Sequence, residues 1–268
     1  MSAPAMAAPT LLFLPGTLCD ERLWAHQMEA LSLLANVACA DYRHETSIDA
    51  MARAALAAVD GPVIPIGLSM GGMVAAAMVR LAPDRVVAAS LWDTDPEADS
   101  ALRRALREEG LAQLRNGQSM RVYARETLVP RYFSPAELER RASKDLLAIA
   151  DLGAIMAADQ GIDAYAAQSA ALAGRAEFWT TLRQIGVPLL IGCGAADPIC
   201  PVEMHRTMAF AVNPGWCRLA TIDGAGHIPP LTAAPAVSAH LHDWLAQIAL
   251  HALPHKNSCN SAQLVGTI

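Results

Sequence analysis

The sequence predicts an α/β fold in which a mainly parallel sheet is flanked by helices and interrupted by a helical insertion. Short apolar runs alternate with segments of helical periodicity over residues 10–91, and again from residue 187 onward. Between these two regions, only helical patterns occur. Hydrophobic residues make up 53% of the 268-residue chain and charged residues 17%, which is sufficient for a large buried core.

The first part of the chain contains four predicted strands, at residues 10–14, 36–40, 63–68 and 85–91. Each is a short apolar run, which is typical of a strand that is buried on both faces of a parallel sheet. Helices are predicted between them. Asp20 and Ser47 precede two of these helices, where their side-chain oxygens can accept hydrogen bonds from the first free N–H groups.

Residues 96–185 are predicted to form a helical cap inserted into the core. Ser134-Pro135-Ala136-Glu137 combines a capping serine, a proline at the first helical position and a glutamate at the third, which indicates a helix start. A hinged, independent domain would more often have a Pro- and Gly-rich linker at each end, so we interpret this segment as an insertion.

The strand–helix alternation resumes after the insertion. Strands are predicted at residues 187–191 and 217–222, with a helix after Pro201 and a closing helix at 235–250. The predicted core therefore comprises residues 9–95 and 186–252. Residues 253–268 show no hydrophobic periodicity and are expected to form a loose C-terminal tail.

The segment Gly67-Leu68-Ser69-Met70-Gly71-Gly72 is the strongest candidate functional motif. It connects an apolar strand to a predicted helix, which is the context in which a G-x-S-x-G pattern presents a nucleophilic serine. Glycines are needed beside Ser69 because a Cβ there would crowd the strand and the helix. The pattern alone arises by chance in about one such chain in twenty, so its significance depends on partner residues elsewhere.

Two later loops supply candidate partners. Asp197 follows the predicted strand at 187–191, and His227 follows the strand at 217–222. A serine hydroxyl is a poor nucleophile until a base accepts its proton, and an imidazole oriented by a carboxylate performs this role near neutral pH. We therefore predict that Ser69, Asp197 and His227 are catalytic. Asp93 and Asp95 follow the strand at 85–91 and remain alternatives for the acid.

These three motifs, in this order along the chain, resemble those of the α/β-hydrolase family, and the resemblance covers most of residues 10–250. Gly67 to Gly72 resembles the nucleophile elbow of that family, and Gly224-Ala225-Gly226-His227 resembles its histidine loop. The resemblance implies a serine hydrolase, similar to esterases and lactonases, that cleaves small carboxylic esters or lactones through an acyl-enzyme on Ser69. It implies no metal and no organic cofactor.

The resemblance also implies an oxyanion hole and a substrate pocket. Pro15-Gly16-Thr17 stands where the family usually has His-Gly, so the backbone N–H groups of Thr17 and Met70 are expected to bind the developing oxyanion. The candidate residues of the pocket are Leu18, Trp92, Tyr123, Tyr132, Phe133, Phe178 and Trp179.

Composition argues against several other classes of function. The net charge of −6 and the lack of a long Lys/Arg cluster argue against nucleic-acid and membrane binding. The six cysteines form no C-x-x-C pair, so a zinc or redox site has little support. The first residues do not show the pattern of a signal peptide, and we expect a cytoplasmic monomer or homodimer.

Two alternative functions remain open at this stage. Related folds use the same three residue types to hydrolyse a carbon–carbon bond in a ring-cleavage product. A non-catalytic ligand-binding or regulatory module would retain the fold and use the pocket as a receptor. Fold alone does not decide among these functions.

Overall fold

The computed structural model of the protein describes residues 8–140, 143–213 and 215–252. The expected C-terminal tail, residues 253–268, lies outside the described residues. Six strands in the described ranges form one parallel sheet in the order β2-β1-β3-β4-β5-β6, which confirms the predicted α/β architecture. The strands are β1 (Thr10–Leu14), β2 (Asn36–Cys39), β3 (Val63–Leu68), β4 (Ala89–Trp92), β5 (Leu189–Gly194) and β6 (Cys217–Ile222).

Helices connect successive strands, as a parallel sheet requires. They are α1 (Ala25–Leu31), α2 (Ile48–Ala57), α3 (Met70–Leu81), α4 (Ala101–Arg115), α5 (Met120–Tyr123), α6 (Pro135–Glu139), α7 (Lys144–Ala173), α8 (Trp179–Gln184), α9 (Val202–Ala211), α10 (Pro229–Thr232) and α11 (Ala234–Ala252). Shorter helical turns occur at Glu21–Trp24, Ala124–Leu128 and Val129–Tyr132. No helix in the described part of the chain is both long enough and apolar enough to cross a membrane.

The sheet buries a hydrophobic layer on each face. Leu12 and Leu14 of β1 belong to the cluster that packs against α2 and α3, whereas Leu11 and Phe13 belong to the cluster that packs against α1 and α11. Successive side chains of a strand point to opposite faces, so a continuous apolar run supplies both layers. This pattern explains why the central strands β1, β3, β4 and β5 carry no charged residue.

Several element boundaries differ from the sequence-based prediction. The strand predicted at 187–191 spans Leu189–Gly194. The strand predicted at 85–91 begins only at Ala89, and Val86 pairs with Val63 of β3 through an isolated bridge ahead of it. The helix expected after Asp20 starts as a tight 3₁₀ turn, with the Asp20 side chain accepting a hydrogen bond from the N–H of Arg22. The predicted caps at Ser47 and Ser134 are present, and the N–H of Ser134 reciprocally donates a hydrogen bond to the carboxylate of Glu137.

Helices α4 to α8 all lie between β4 and β5, and they form the helical segment at residues 96–185. Its longest helix, α7, is broken at Gly161, whose φ of 82° lies in the left-handed region that favours glycine. A small apolar cluster joins α4, α5 and α7 to Leu18 in the loop after β1. The helical segment therefore packs directly on a loop at the carboxyl end of the sheet.

Candidate active site

Ser69 lies in the sharp turn between β3 and α3. Its backbone has φ 55° and ψ −116°, a conformation that costs free energy in a residue with a side chain. The turn is so tight that a Cβ on Gly67 would collide with the backbone of Gly71. A Cβ on Gly71 would collide with the backbone of Leu14. These two glycines therefore let β3, α3 and the end of β1 approach closely enough to hold Ser69 at the carboxyl edge of the sheet.

The loop after β4 supports this turn. The hydroxyl of Thr94 donates a hydrogen bond of 2.7 Å to the carbonyl of Ser69, and the backbone N–H of Ser69 donates one of 2.8 Å to the carbonyl of Trp92. The backbone N–H of Thr94 in turn donates to Nε2 of the buried His205, at 3.1 Å. The sequence analysis missed this support, since a threonine and a helical histidine carry no motif.

The structure brings Ser69, His227 and Asp197 into one chain of hydrogen-bond contacts. The Oγ of Ser69 lies 3.0 Å from Nε2 of His227, and Nδ1 of His227 lies 2.7 Å from Oδ2 of Asp197. His227 and Asp197 are buried, whereas Ser69 is half-buried. Three loops, after β3, β5 and β6, thus bring these three side chains together.

The electrostatics of Asp197 favour a carboxylate. Burial opposes ionisation, but the facing imidazole of His227 and hydrogen bonds from the backbone hold the pKa of Asp197 below its usual value. One of these bonds runs from the N–H of Ile199 to Oδ1 of Asp197, at 2.7 Å. An ionised Asp197 accepts the Nδ1 proton of His227, which leaves Nε2 free to accept a proton from Ser69.

The two alternative acids, Asp93 and Asp95, have other partners. Asp93 is buried, and its Oδ1 accepts a hydrogen bond of 2.8 Å from the N–H of Gly194. Burial and the neighbouring charge of Asp197 raise the pKa of Asp93 well above its usual value, which favours its neutral form. Asp95 forms ion pairs with Arg103 and Arg175.

The backbone groups expected to bind an oxyanion lie beside Ser69. Thr17 lines the same cavity as Ser69, and its hydroxyl contacts the sulfur of Met70 at 3.8 Å. Met70 is the first residue of α3, so its N–H has no acceptor within the helix. Within the described ranges, neither the N–H of Thr17 nor that of Met70 has a hydrogen-bond partner. Both donors are therefore available near the serine.

Polar residues from the helical segment hold the loops of the site. Gln168 of α7 accepts a hydrogen bond from the N–H of Leu18, and Glu137 of α6 accepts one from the N–H of Gly226, next to His227. The N–H of His227 itself donates to the carbonyl of Tyr132, at 2.7 Å. Sequence analysis interpreted Glu137 only as part of a helix cap and assigned no role to Gln168.

A cavity of about 150 Å³ adjoins Ser69, His227 and Thr17. Tyr123 and Tyr132, two of the aromatic residues expected from the sequence, line it. Its remaining wall is part apolar and part basic, with Leu68, Met73, Leu106, Leu172, Arg107 and Arg131 among its residues. The basic part was not predicted, because arginines in an amphipathic insertion are usually solvated.

The other expected pocket residues do not line this cavity, so that part of the prediction is corrected. Leu18, whose φ is 57°, packs in the small cluster between α4, α5 and α7. Trp92 is fully buried against Gly192, and Phe133 packs in the core on the α1 and α11 face. Phe178 and Trp179 pack at the edge of the opposite core, where the Trp179 indole N–H donates to Glu97.

One group of potential metal ligands overlaps this site. Asp197, Cys200 and His227 place ligand-type atoms within 4.8 Å of one another. However, Asp197 and Nδ1 of His227 already bind each other, and burial raises the pKa of the Cys200 thiol well above its usual value. A neutral thiol is a weak ligand, so this group suits hydrogen bonding better than metal coordination.

Comparisons with known proteins match this architecture. A family model described as "Alpha/beta hydrolase family" matches residues 11–240. The fold is similar to that of a thermophilic esterase from Thermogutta terrifontis in a malate-bound structure, with a TM-score of 0.78 and 23% identity over 91% of both chains. No curated protein sequence gives a significant match.

Two further solved structures show how widely this fold is used. An enol-lactonase from Burkholderia xenovorans has a TM-score of 0.75 at 21% identity, over 91% of this chain and 94% of that chain. A bromoperoxidase from Bacillus anthracis has a TM-score of 0.77 at 18% identity, over 90% of this chain and 93% of that chain. At such identities, these similarities establish the fold and not the reaction.

Proposed function

Because the chain belongs to the alpha/beta hydrolase family, we propose that it is a serine hydrolase that cleaves small carboxylic esters or lactones through an acyl-enzyme on Ser69. The observation that carries the proposal is the contact chain from the Ser69 hydroxyl through His227 to Asp197, with separations of 3.0 and 2.7 Å. This series of contacts ends at the cavity, beside the N–H groups of Thr17 and Met70, which have no hydrogen-bond partner in the described ranges. The esterase and lactonase among the similar structures are consistent with it.

The proposed reaction begins when Nε2 of His227 accepts the proton of the Ser69 hydroxyl. The serine oxygen attacks the carbonyl carbon, and the N–H groups of Thr17 and Met70 bind the resulting oxyanion. His227 then donates its proton to the departing alkoxide, which leaves an acyl group on Ser69. A water molecule, deprotonated by His227, attacks the acyl group, and collapse of the second tetrahedral intermediate releases the acid and restores the serine.

Asp197 has a supporting role in this scheme. Its carboxylate fixes the imidazole with Nδ1 protonated and stabilises the imidazolium that forms in each step.

The strained backbone of Ser69 holds the hydroxyl in place before substrate binds, so no reorganisation of the turn is needed during the reaction. The binding pocket is small, since the cavity volume is about 150 Å³.

The test is hydrolysis of a p-nitrophenyl ester series from acetate to decanoate, together with a small set of lactones. Wild-type protein is compared with Ser69→Ala, and Ser32→Ala serves as the matched control because Ser32 is exposed at the end of α1. We expect turnover in the wild type and the control, and a loss of several orders of magnitude in Ser69→Ala. A fluorophosphonate should label the peptide that contains Ser69.

Other outcomes would contradict the proposal. Equal turnover by the wild type and Ser69→Ala would assign the chemistry to another residue. Inactivity on esters and lactones, with cleavage of a 1,3-diketone or dienoate, would support the carbon–carbon hydrolase instead. Tight ligand binding that is unaffected by Ser69→Ala, without any turnover, would support the receptor function.

A further inference from the structure

The wall of the cavity beside Ser69 carries an excess of positive charge. Four of its residues are arginines: Arg103, Arg107, Arg131 and Arg175. Among the described residues that line it, Asp95 is the only acid. The arginines come from α4, from the turn before α6 and from the loop after α7, so folding gathers them from separate elements. A protein with net charge −6 therefore places a basic group next to its candidate nucleophile.

Two of the four arginines are engaged by the protein itself. Arg175, with only 3% of its side chain exposed, forms ion pairs with Asp95 and Asp99 and also donates to the carbonyl of Glu97. Arg103 forms an ion pair with Asp95 and donates to the carbonyl of Ile199. These contacts place two carboxylates, Asp95 and Asp99, against Arg103 and Arg175, so a ligand is not needed to neutralise this pair of arginines.

The other two arginines have unused capacity. Arg107 pairs with Asp99, but its Nε is buried without a hydrogen-bond partner among the described residues. Arg131 is exposed at the rim and forms no ion pair or side-chain hydrogen bond within the described ranges. Among the described residues, Asp95 and Asp99 are the carboxylates that pair with the four guanidinium groups. The arginines therefore carry about two more positive charges than these two partners balance, and an anion would offset that surplus.

Electrostatic repulsion among the arginines also favours the binding of an anion in the cavity. Burial, together with the nearby charges of Arg175 and Arg131, lowers the pKa of Arg107 below its usual value. A guanidinium with a buried, unpaired Nε–H beside like charges is unfavourable. An incoming carboxylate would relieve both features, because the planar fork of an arginine matches the two oxygens of a carboxylate.

Away from Ser69, His227 and the charged groups, the cavity wall is largely apolar, and the cavity volume is about 150 Å³. Leu68, Met73 and Leu172 line it together with Tyr123 and Tyr165. We propose that the substrate is an ester or lactone that carries a free carboxylate, joined by a short apolar stem to the carbonyl that Ser69 attacks, with the carboxylate bound by Arg107 and Arg131. This inference rests on the proposed hydrolase function and narrows its substrate class to half-esters of small dicarboxylic acids or acid-bearing lactones.

The test compares two esters of matched shape. The p-nitrophenyl half-ester of glutaric acid carries the carboxylate, and p-nitrophenyl 5-methylhexanoate replaces that carboxylate with an isopropyl group. We expect the wild-type kcat/KM to favour the half-ester by at least about tenfold, since hydrogen bonds to charged groups contribute that much or more. The preference should also fall with added NaCl, because one of the arginines is exposed.

Substitutions of single arginines test which residues cause the preference for the half-ester. Arg131→Gln should reduce the ratio of the two kcat/KM values by about tenfold, and Arg107→Gln should reduce it as well. Arg131 is exposed, so its variant should fold even if the Arg107 variant does not. Arg115→Gln is the matched control: this arginine also lies on α4 and is exposed, but it does not line the cavity. Its ratio should equal that of the wild type.

A binding measurement separates this inference from the proposed function. Calorimetry on Ser69→Ala should show that glutarate binds more tightly than butyrate, and that adding Arg131→Gln removes the difference. Ser69-dependent hydrolysis without any preference for the half-ester would overturn the inference and leave the hydrolase intact. Absence of ester and lactone turnover, together with Arg131-dependent glutarate binding, would overturn the hydrolase and support the anion site.

Discussion

The side-chain oxygen of Gln168 accepts a hydrogen bond of 2.8 Å from the backbone N–H of Leu18, a residue 150 positions earlier in the chain. Leu18 has a φ of 57°, which is uncommon for a leucine. It directly follows Thr17, whose N–H is one of the two candidate oxyanion donors. A buried residue of the helical segment therefore fixes the conformation of the loop that carries this donor.

Replacing Gln168 with methionine should lower activity through this loop. Methionine has a similar shape but cannot accept the bond, so the buried N–H of Leu18 would lose its partner, at a cost of about 1–3 kcal/mol in the free energy of unfolding. We expect kcat to fall by about tenfold as Thr17 loses its fixed position. Gln113→Met on the exposed face of α4 is the control, and equal kcat values for the two variants would contradict a positioning role.

The proposed role of Asp197 predicts a large kinetic effect from a small change. Asp197→Asn keeps the size of the side chain but presents a neutral amide to Nδ1 of His227, which favours the wrong tautomer. We expect kcat on a p-nitrophenyl ester to fall by about 10⁴-fold at neutral pH, with a much smaller change in KM. Activity within tenfold of the wild type would show that another group orients the histidine.

Asp93 should behave in the opposite way, although it was an alternative for the same role. Its folded-state pKa is raised well above the ordinary 3.8, so the folded protein binds this proton more tightly than the unfolded chain does. This contribution to stability is complete at pH values below 3.8 and decreases as pH rises through the folded pKa. Asp93→Asn should remove that decrease, because an amide does not titrate.

Two measurements check the Asp93 prediction. Urea unfolding at several pH values should show Asp93→Asn to be more stable than the wild type at neutral and alkaline pH, with a smaller pH dependence. Ester hydrolysis should stay close to the wild-type rate, since asparagine can still accept the bond from the N–H of Gly194. A loss of activity comparable to that of Asp197→Asn would refute the assignment of a neutral, non-catalytic Asp93.

The sequence carries strong local signals for the sheet and for the loops that reach the site. Apolar runs identify the strands, although β6 includes Arg218, and the glycines around Ser69 and before His227 identify sharp turns at strand ends. The residues that line the cavity lack such signals. Trp92 has the size of a pocket aromatic, but strand alternation directs it toward Gly192 and the core. The arginines that line the cavity, such as Arg107, lie on several separate elements of the sequence, and only the packing of the helices brings them together.

Glu137 couples the helical segment to the loop that carries His227. Its Oε2 accepts hydrogen bonds from the N–H of Ser134, at 2.7 Å, and from the N–H of Gly226, at 3.1 Å, and the side chain is buried. Glu137→Ala would leave two buried donors without an acceptor, so we expect the free energy of unfolding to fall by at least about 2 kcal/mol. The exposed neighbour Glu139 supplies the control variant Glu139→Ala, which should unfold like the wild type.

The same substitution should also affect catalysis, because Gly226 immediately precedes His227. With the loop released, the separation of 3.0 Å between Nε2 of His227 and the Ser69 hydroxyl is no longer fixed, and proton transfer becomes less efficient. We expect Glu137→Ala to lower kcat by about tenfold on p-nitrophenyl esters, measured at a temperature where the variant remains folded. A destabilised variant with wild-type kcat would assign Glu137 to the stability of the helical segment alone.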